Sequence, residues 1–150
     1  MHLSLVSMEV IAALRENAGA NNCDGDLAVQ CALLHDIIED TRDTYEDLAG
    51  VFRVAVANGV QALTKNKELP DSLQMEDSLR RIKQQPKAVW MVKLADRITN
   101  LQPPPSYWSR DKKIRYRDEA RQIHAMLKEG SDFLATRLLT KIEGYGEYCS

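Results

Sequence analysis

Ala32-Leu33-Leu34-His35-Asp36-Ile37-Ile38-Glu39-Asp40-Thr41 is the stretch that decides how this 150-residue chain is read. Four strongly polar side chains, His35, Asp36, Glu39 and Asp40, stand inside an apolar run of helical spacing. Buried without partners, each would cost several kcal/mol. On a continuous helix His35 and Glu39 share one edge and Asp36 and Asp40 another, because each pair is four residues apart. Leu34, Ile37 and Ile38 then face the interior beside them. A histidine and three carboxylates at the wall of a core ask for a cation, which turns the burial cost into coordination.

Working outward, the chain is long enough for one domain with a real core. Charged residues make up 28% and hydrophobic ones 44%, an ordinary globular balance. The net charge of −2 argues against a nucleic-acid-coating role, so any phosphate-binding charge must be local. Cys23, Cys31 and Cys149 show no paired spacing, which favours a reducing compartment. No apolar stretch approaches the roughly 20 residues of a membrane span, and no leader pattern opens the chain. The expectation is a cytoplasmic, soluble protein with no membrane and no nucleic-acid partner. The sequence sets no oligomeric state.

Helical spacing recurs along the chain. It predicts a helix through Leu3–Leu14, a loop over Asn17–Asp26 with Asp24 or Asp26 as the next cap, and the central helix to Thr41. A short segment over Thr44–Gly50 begins with a Thr44 cap, and Val51–Leu63 reads as one buried helix despite its valines. Thr64–Pro70 is a loop, and Asp71 or Ser72 can cap the helix that Pro86 interrupts. Ala88–Leu101 follows, stopped by Pro103-Pro104-Pro105; then come Lys112–Leu127, a break at Gly130, and a last helix capped by Ser131 and loosened at Gly144 and Gly146. The fold class expected is all-α, one bundle of about six to eight helices over residues 1–150, with no repeat and no linker.

Side chains on one helix diverge around its axis, so the central stretch needs ligands from elsewhere. Val92-Lys93-Leu94-Ala95-Asp96-Arg97-Ile98-Thr99-Asn100-Leu101 offers Asp96, set among Leu94, Ala95 and Ile98, with Asn100 four residues on. The plain alternative is an ion pair of Asp96 with Lys93 or Arg97. His124 lies in a charged helix without an acidic neighbour motif and reads as a surface or partly buried histidine. Residues 110 to 121 hold Arg110, Lys112, Lys113, Arg115, Arg117 and Arg121, which is either a solvated face or a phosphate contact. Lys65, Lys67, Arg80 and Arg81 are further basic candidates, and nothing in the sequence selects among them.

His35-Asp36-x-x-Glu39-Asp40-Thr41 resembles the central motif of the RelA/SpoT-type HD hydrolases, which include the small alarmone hydrolases that stand alone as one domain. Lys93-Leu94-Ala95-Asp96-Arg97-x-x-Asn100-Leu101 is similar to the second motif of that family, in the right order. The resemblance implies an HD-domain bundle whose metal ligands are His35, Asp36 and Asp96. Its first ligand is a histidine followed four residues later by Val, a pattern that His2 and Val6 match, although Leu3 stands where a proline is usual. Two imidazoles and two aspartates are a hard, mixed donor set suited to Mn²⁺, the metal to which the resemblance also points.

In that family the Glu-Asp pair is the catalytic addition that accompanies 3′-pyrophosphate hydrolysis, so the resemblance gives Glu39 and Asp40 the positioning of water and the proton transfer. Trp108-Ser109 followed by Tyr116 resembles a pattern in which the tyrosine contacts the nucleotide and a basic residue one turn earlier, here Lys112, reaches phosphate. Asn100 maps near the nucleotide. The expected activity is removal of the 3′-diphosphate from guanosine tetra- or pentaphosphate, a small-molecule phosphorylated nucleotide. Another phosphorylated nucleotide, including a phosphorylated nicotinamide cofactor, an HD-type nucleotidase reaction, and a nucleotide-binding regulator without turnover are the alternatives. Family members generally carry a helix before the first ligand whose basic residues stack on guanine. No counterpart lies in these 150 residues, so the resemblance bears on the hydrolytic chemistry more directly than on guanine recognition.

Overall fold

A helix that is apolar on nearly every side must sit inside other helices, and Lys87–Asn100 does. In the computed structural model, which describes residues 1–16 and 23–150, every residue from Ala88 to Thr99 except Asp96 is buried. Nine α-helices are formed among the described residues: α1 (His2–Glu16), α2 (Gly25–Leu34), α3 (Ile37–Asp40), α4 (Tyr45–Val51), α5 (Val54–Leu63), α6 (Asp71–Lys83), α7 (Lys87–Asn100), α8 (Arg110–Leu127) and α9 (Asp132–Tyr145). Helices α1, α2, α5, α6, α8 and α9 all pack on α7. Residues beyond 101 belong to the same core, since Ile123, Leu127, Leu134, Leu138 and Ile142 join the buried cluster around Val89, Val92 and Leu94. No described helix is long and apolar enough to cross a membrane.

The caps follow from local chemistry. Asp24 accepts the Leu27 N–H at the start of α2, Thr44 and Asp47 form a capping box at α4, and Ser109 and Ser131 accept N–H bonds at α8 and α9. At α6 the cap position is Pro70, and Asp71 lies inside the first turn, so neither Asp71 nor Ser72 caps it. Of the loop expected over Asn17–Asp26, residues 17–22 lie outside the described residues.

Two expected helices are divided. Val51 ends α4 and Val54 begins α5, with Phe52 extended between them. The central stretch is also broken: α2 stops at Leu34, and α3 is a single turn starting at Ile37. The imidazole of His35 lies 2.8 Å from the Ala32 carbonyl, the acceptor that the Asp36 N–H would take in a continuing helix. The all-α bundle is the one expected; among the described residues this split alone, by making the one-turn α3 a separate element, takes the count to nine. At the other end, α9 runs through Gly144 to Tyr145 and tightens into a 3-10 turn over Gly146–Cys149.

Candidate metal centre and its cavity

Three separate elements bring ligand atoms to one point. His2 opens α1, His35 and Asp36 occupy the break between α2 and α3, and Asp96 projects from α7. The Asp96 Oδ1 lies 2.8 Å from Nε2 of His2 and 3.2 Å from Nε2 of His35. Asp36 is at 3.4 Å from the His35 Nε2 and 3.9 Å from that of His2. His2, His35 and Asp96 each offer an atom within 4.8 Å of the others. The middle of α1 is tied to α9 by a bidentate pair, Arg137 Nε and Nη2 donating to Glu9 at 2.8 and 2.6 Å.

The donor set fits a divalent cation. The Ala32 carbonyl can only accept, so the His35 Nδ1–H donates to it, which fixes the ring orientation and turns Nε2 toward Asp96. Burial opposes ionisation of Asp96, but hydrogen bonds from His2 and His35 and the charge of Lys93 outweigh it and hold the carboxyl far below its usual range. Burial, reinforced by Asp96 and Asp40, pushes Asp36 up against the pull of His35 and His2. Burial likewise opposes charge on His35, yet the Asp96 and Asp36 carboxylates raise its pKa. Two carboxylates and two imidazoles gathered in a half-buried space are a donor set suited to a divalent cation.

The cluster opens on a cavity of about 430 Å³. Besides the ligand candidates, its wall includes Glu39, Lys65, Lys67, Lys93, Arg97, Asn100 and Tyr116. Carboxylates, imidazoles and basic side chains thus share one lining, an arrangement that suits an anion bridging a cation and ammonium groups. Lys93 is buried, with Nζ 3.9 Å from Asp96 Oδ2, and burial lowers its pKa. The Asp96–Lys93 ion pair weighed from sequence is therefore present alongside the imidazoles. Arg97 instead reaches the Tyr116 carbonyl and Glu119, with its guanidinium 4.2 Å above the Tyr116 ring.

The expected catalytic and binding residues divide. The Glu39 Oε1 accepts the Lys65 N–H at 3.1 Å, and Asn100 donates to Asp96 Oδ1 at 3.3 Å. Tyr116 lines the cavity, wedged between Arg97, Trp108 and Tyr145. Asp40 is exposed outside the cavity wall, within electrostatic reach of Asp36. Lys112 is also outside it, exposed, with Nζ 4.3 Å above the Trp108 ring. Since α3 is a separate turn, Glu39 does not continue the α2 edge that ends at His35, whereas Asp36 and Asp40 stay one turn apart, with the Asp40 N–H donating to the Asp36 carbonyl at 2.9 Å. Among the basic candidates left open, Lys65 and Lys67 reach the cavity, whereas Arg80 and Arg81 bind Asp77 and backbone carbonyls. Lys93 was legible only as part of the second motif, and His124 lines a separate surface cleft.

Comparison with known proteins bears on this geometry. The family profile described as HD domain matches residues 4–101. A guanosine-3′,5′-bis(diphosphate) 3′-pyrophosphohydrolase MESH1 of Danio rerio is 35% identical over 99 residues, covering 63% of this chain and 55% of that protein. Its Xenopus tropicalis counterpart is 31% identical, with 75% and 66% covered. A GTP pyrophosphokinase rsh of Brucella ovis is 33% identical over 68% of this chain but 14% of its own length. The chain thus spans a little over half of the zebrafish relative. Among solved structures, a metazoan SpoT ortholog described as hydrolysing ppGpp superposes with a TM-score of 0.75 at 23% identity, covering 94% of this chain and 80% of that one. A Listeria monocytogenes protein gives 0.69 at 21%, with 93% and 94% covered. These two likenesses establish the all-helical fold.

Proposed function

The chain belongs to the HD-domain family, and from that premise we propose that it is a divalent-metal-dependent pyrophosphohydrolase that removes the 3′-diphosphate of guanosine tetra- or pentaphosphate. The observation that carries the reading is the convergence of His2, His35, Asp36 and Asp96 on a cavity whose lining also holds Lys65, Lys67, Lys93 and Arg97. The family relatives named as guanosine-3′,5′-bis(diphosphate) 3′-pyrophosphohydrolases support the substrate class. The 150 residues act as one catalytic domain.

His2, His35, Asp36 and Asp96 hold the ion, with Mn²⁺ the best match to two imidazoles and two carboxylates. When bound, such an ion polarises a phosphoryl oxygen and lowers the pKa of coordinated water. Lys65, Lys67 and Lys93 bind the diphosphate, the role expected of Lys112, which lies off the cavity wall. Asn100 and Tyr116 orient the nucleoside. Glu39, anchored through Oε1 by the Lys65 N–H, keeps Oε2 free to align the attacking water and take its proton. Asp40, exposed beside it, passes that proton to solvent. The water oxygen bonds to the phosphorus on the 3′-oxygen, the P–O3′ bond breaks, the 3′-oxygen takes a proton, and pyrophosphate leaves with GDP or GTP. The protein works in the cytoplasm, where such nucleotides are found.

Incubating the purified chain with Mn²⁺ and a panel of 3′-phosphorylated nucleotides, with pyrophosphate and phosphate followed separately, tests the reading. Pyrophosphate release from ppGpp is expected. Phosphate alone would make it a nucleotidase or phosphatase, and binding without turnover a regulator.

A further inference from the structure

The loop that carries Lys65 holds itself only in part: the Thr64 N–H meets the Gln61 carbonyl at 3.2 Å and the Thr64 hydroxyl that of Val60 at 2.8 Å. Helix α5 ends at Leu63, and its last carbonyls point at α6 without a capping glycine. The Arg81 guanidinium fills that gap. Its Nη1 donates to the Gln61 carbonyl at 2.8 Å and to that of Ala62 at 3.3 Å, and its Nη2 donates to the Thr64 carbonyl at 2.8 Å. Nε donates to Asp77 Oδ2 at 2.9 Å, and the Ser78 hydroxyl adds a bond to the Ala62 carbonyl at 3.0 Å. A planar five-donor fork can bind three consecutive-turn carbonyls and a carboxylate at once, which an ammonium cannot. The positive charge also suits the C-terminal end of α5.

The next residue after the clamped Thr64 is Lys65, whose N–H meets the Glu39 Oε1. Among the described residues this is the hydrogen bond that fixes the Glu39 carboxylate, because α3 is a single turn and Glu39 is exposed. From these contacts we propose that Arg81 is a positioning residue for hydrolysis: it clamps the end of α5 and thereby holds the Lys65 N–H against Glu39. The inference rests on the role given to Glu39 above. It assigns to α6, which contributes nothing to the cavity wall, the setting of the base.

The test uses the full chain loaded with Mn²⁺ and ppGpp, comparing wild type with Arg81→Met, Arg81→Lys, Glu39→Gln and the double variant Arg81→Met/Glu39→Gln. Arg81→Met lowers kcat roughly tenfold, as expected for a misplaced base, and raises KM as well, because the loop it frees also carries Lys65 and Lys67. Arg81→Lys restores only part, and Arg81→Met adds no further loss in the Glu39→Gln background, since both act through one group. Hydrogen exchange of the Lys65 amide provides a readout independent of turnover: Arg81→Met accelerates it while amides of α7 stay protected. An unchanged Lys65 exchange rate, or losses in kcat that multiply in the double variant, overturns the proposal. A wild type that never releases pyrophosphate overturns the functional reading itself, whereas an active wild type with fully active Arg81→Met overturns only the clamp.

Discussion

The Nε2 of His2 lies 2.8 Å from the Oδ1 of Asp96 although the two residues are 94 positions apart. That one contact ties the start of α1 to the buried helix at the centre of the bundle. It is the geometric reason that the first residues of the chain take part in a site formed mainly by α2, α3 and α7.

Removing either end of the contact is expected to empty the site without unfolding the protein. His2→Ala and Asp96→Asn should each weaken Mn²⁺ binding by about 100-fold or more, beyond what loss of an outer partner costs. Titration calorimetry against a matched circular-dichroism melt checks this; unchanged affinity in either variant would remove that residue from the ligand set.

Glu39→Gln should keep the metal and the nucleotide while losing roughly 10²- to 10⁴-fold in kcat, the usual worth of a positioned general base. The paired measurement is Mn²⁺ affinity by calorimetry and turnover by pyrophosphate release. If Glu39→Gln instead loses metal with turnover, the carboxylate is a ligand and not a base.

How much of this was legible in the residues follows from what carries each feature. Apolar spacing marked most of the helices, and two motifs marked His35, Asp36 and Asp96, because both signals are local. The break at His35 was invisible to periodicity: His35 and Asp36 keep right-handed helical dihedrals, at φ −60°, ψ −25° and φ −98°, ψ 0°, so the pattern runs on while the hydrogen-bond ladder stops. That Lys65 and Lys67 line the cavity while Lys112 does not was equally hidden. It depends on the path of the α5–α6 loop, and Arg81 sets that path by binding main-chain carbonyls, which any sequence would offer.

Gly59 is a point where α5 lies directly against α2 and α7. A Cβ there would stand 2.7 Å from the Cys31 Sγ and 3.0 Å from the Val89 Cγ2. Both partners are core side chains, so relief requires moving α2 or α7. Gly59→Ala is expected to cost about 1–3 kcal/mol of stability, the usual range for overpacking, read as a lower urea midpoint at constant m. A gain in stability, from better helix propensity without strain, would show that the crossing has slack.

Acid should weaken the start of α2. The Leu27 N–H, then Arg53, holds the Asp24 carboxyl below its ordinary value. A carboxyl depressed in the folded state contributes stability above its unfolded pKa of about 3.9, and that contribution is lost as pH falls through the folded value. At neutral pH Asp24→Ala should cost about 1 kcal/mol, the typical worth of an N-cap, and the gap between variant and wild type should close below pH 4. Urea melts across pH 7 to 2.5 measure it; a gap that persists at pH 2.5 would mean the cap does not depend on charge.

The most direct test of the whole account is anomalous diffraction from crystals of this chain soaked in MnCl₂, collected on both sides of the manganese edge. One strong peak is predicted, within coordination distance of the Nε2 atoms of His2 and His35 and of carboxylate oxygens of Asp36 and Asp96. Fully ordered side chains at these four positions with no manganese peak between them would contradict it.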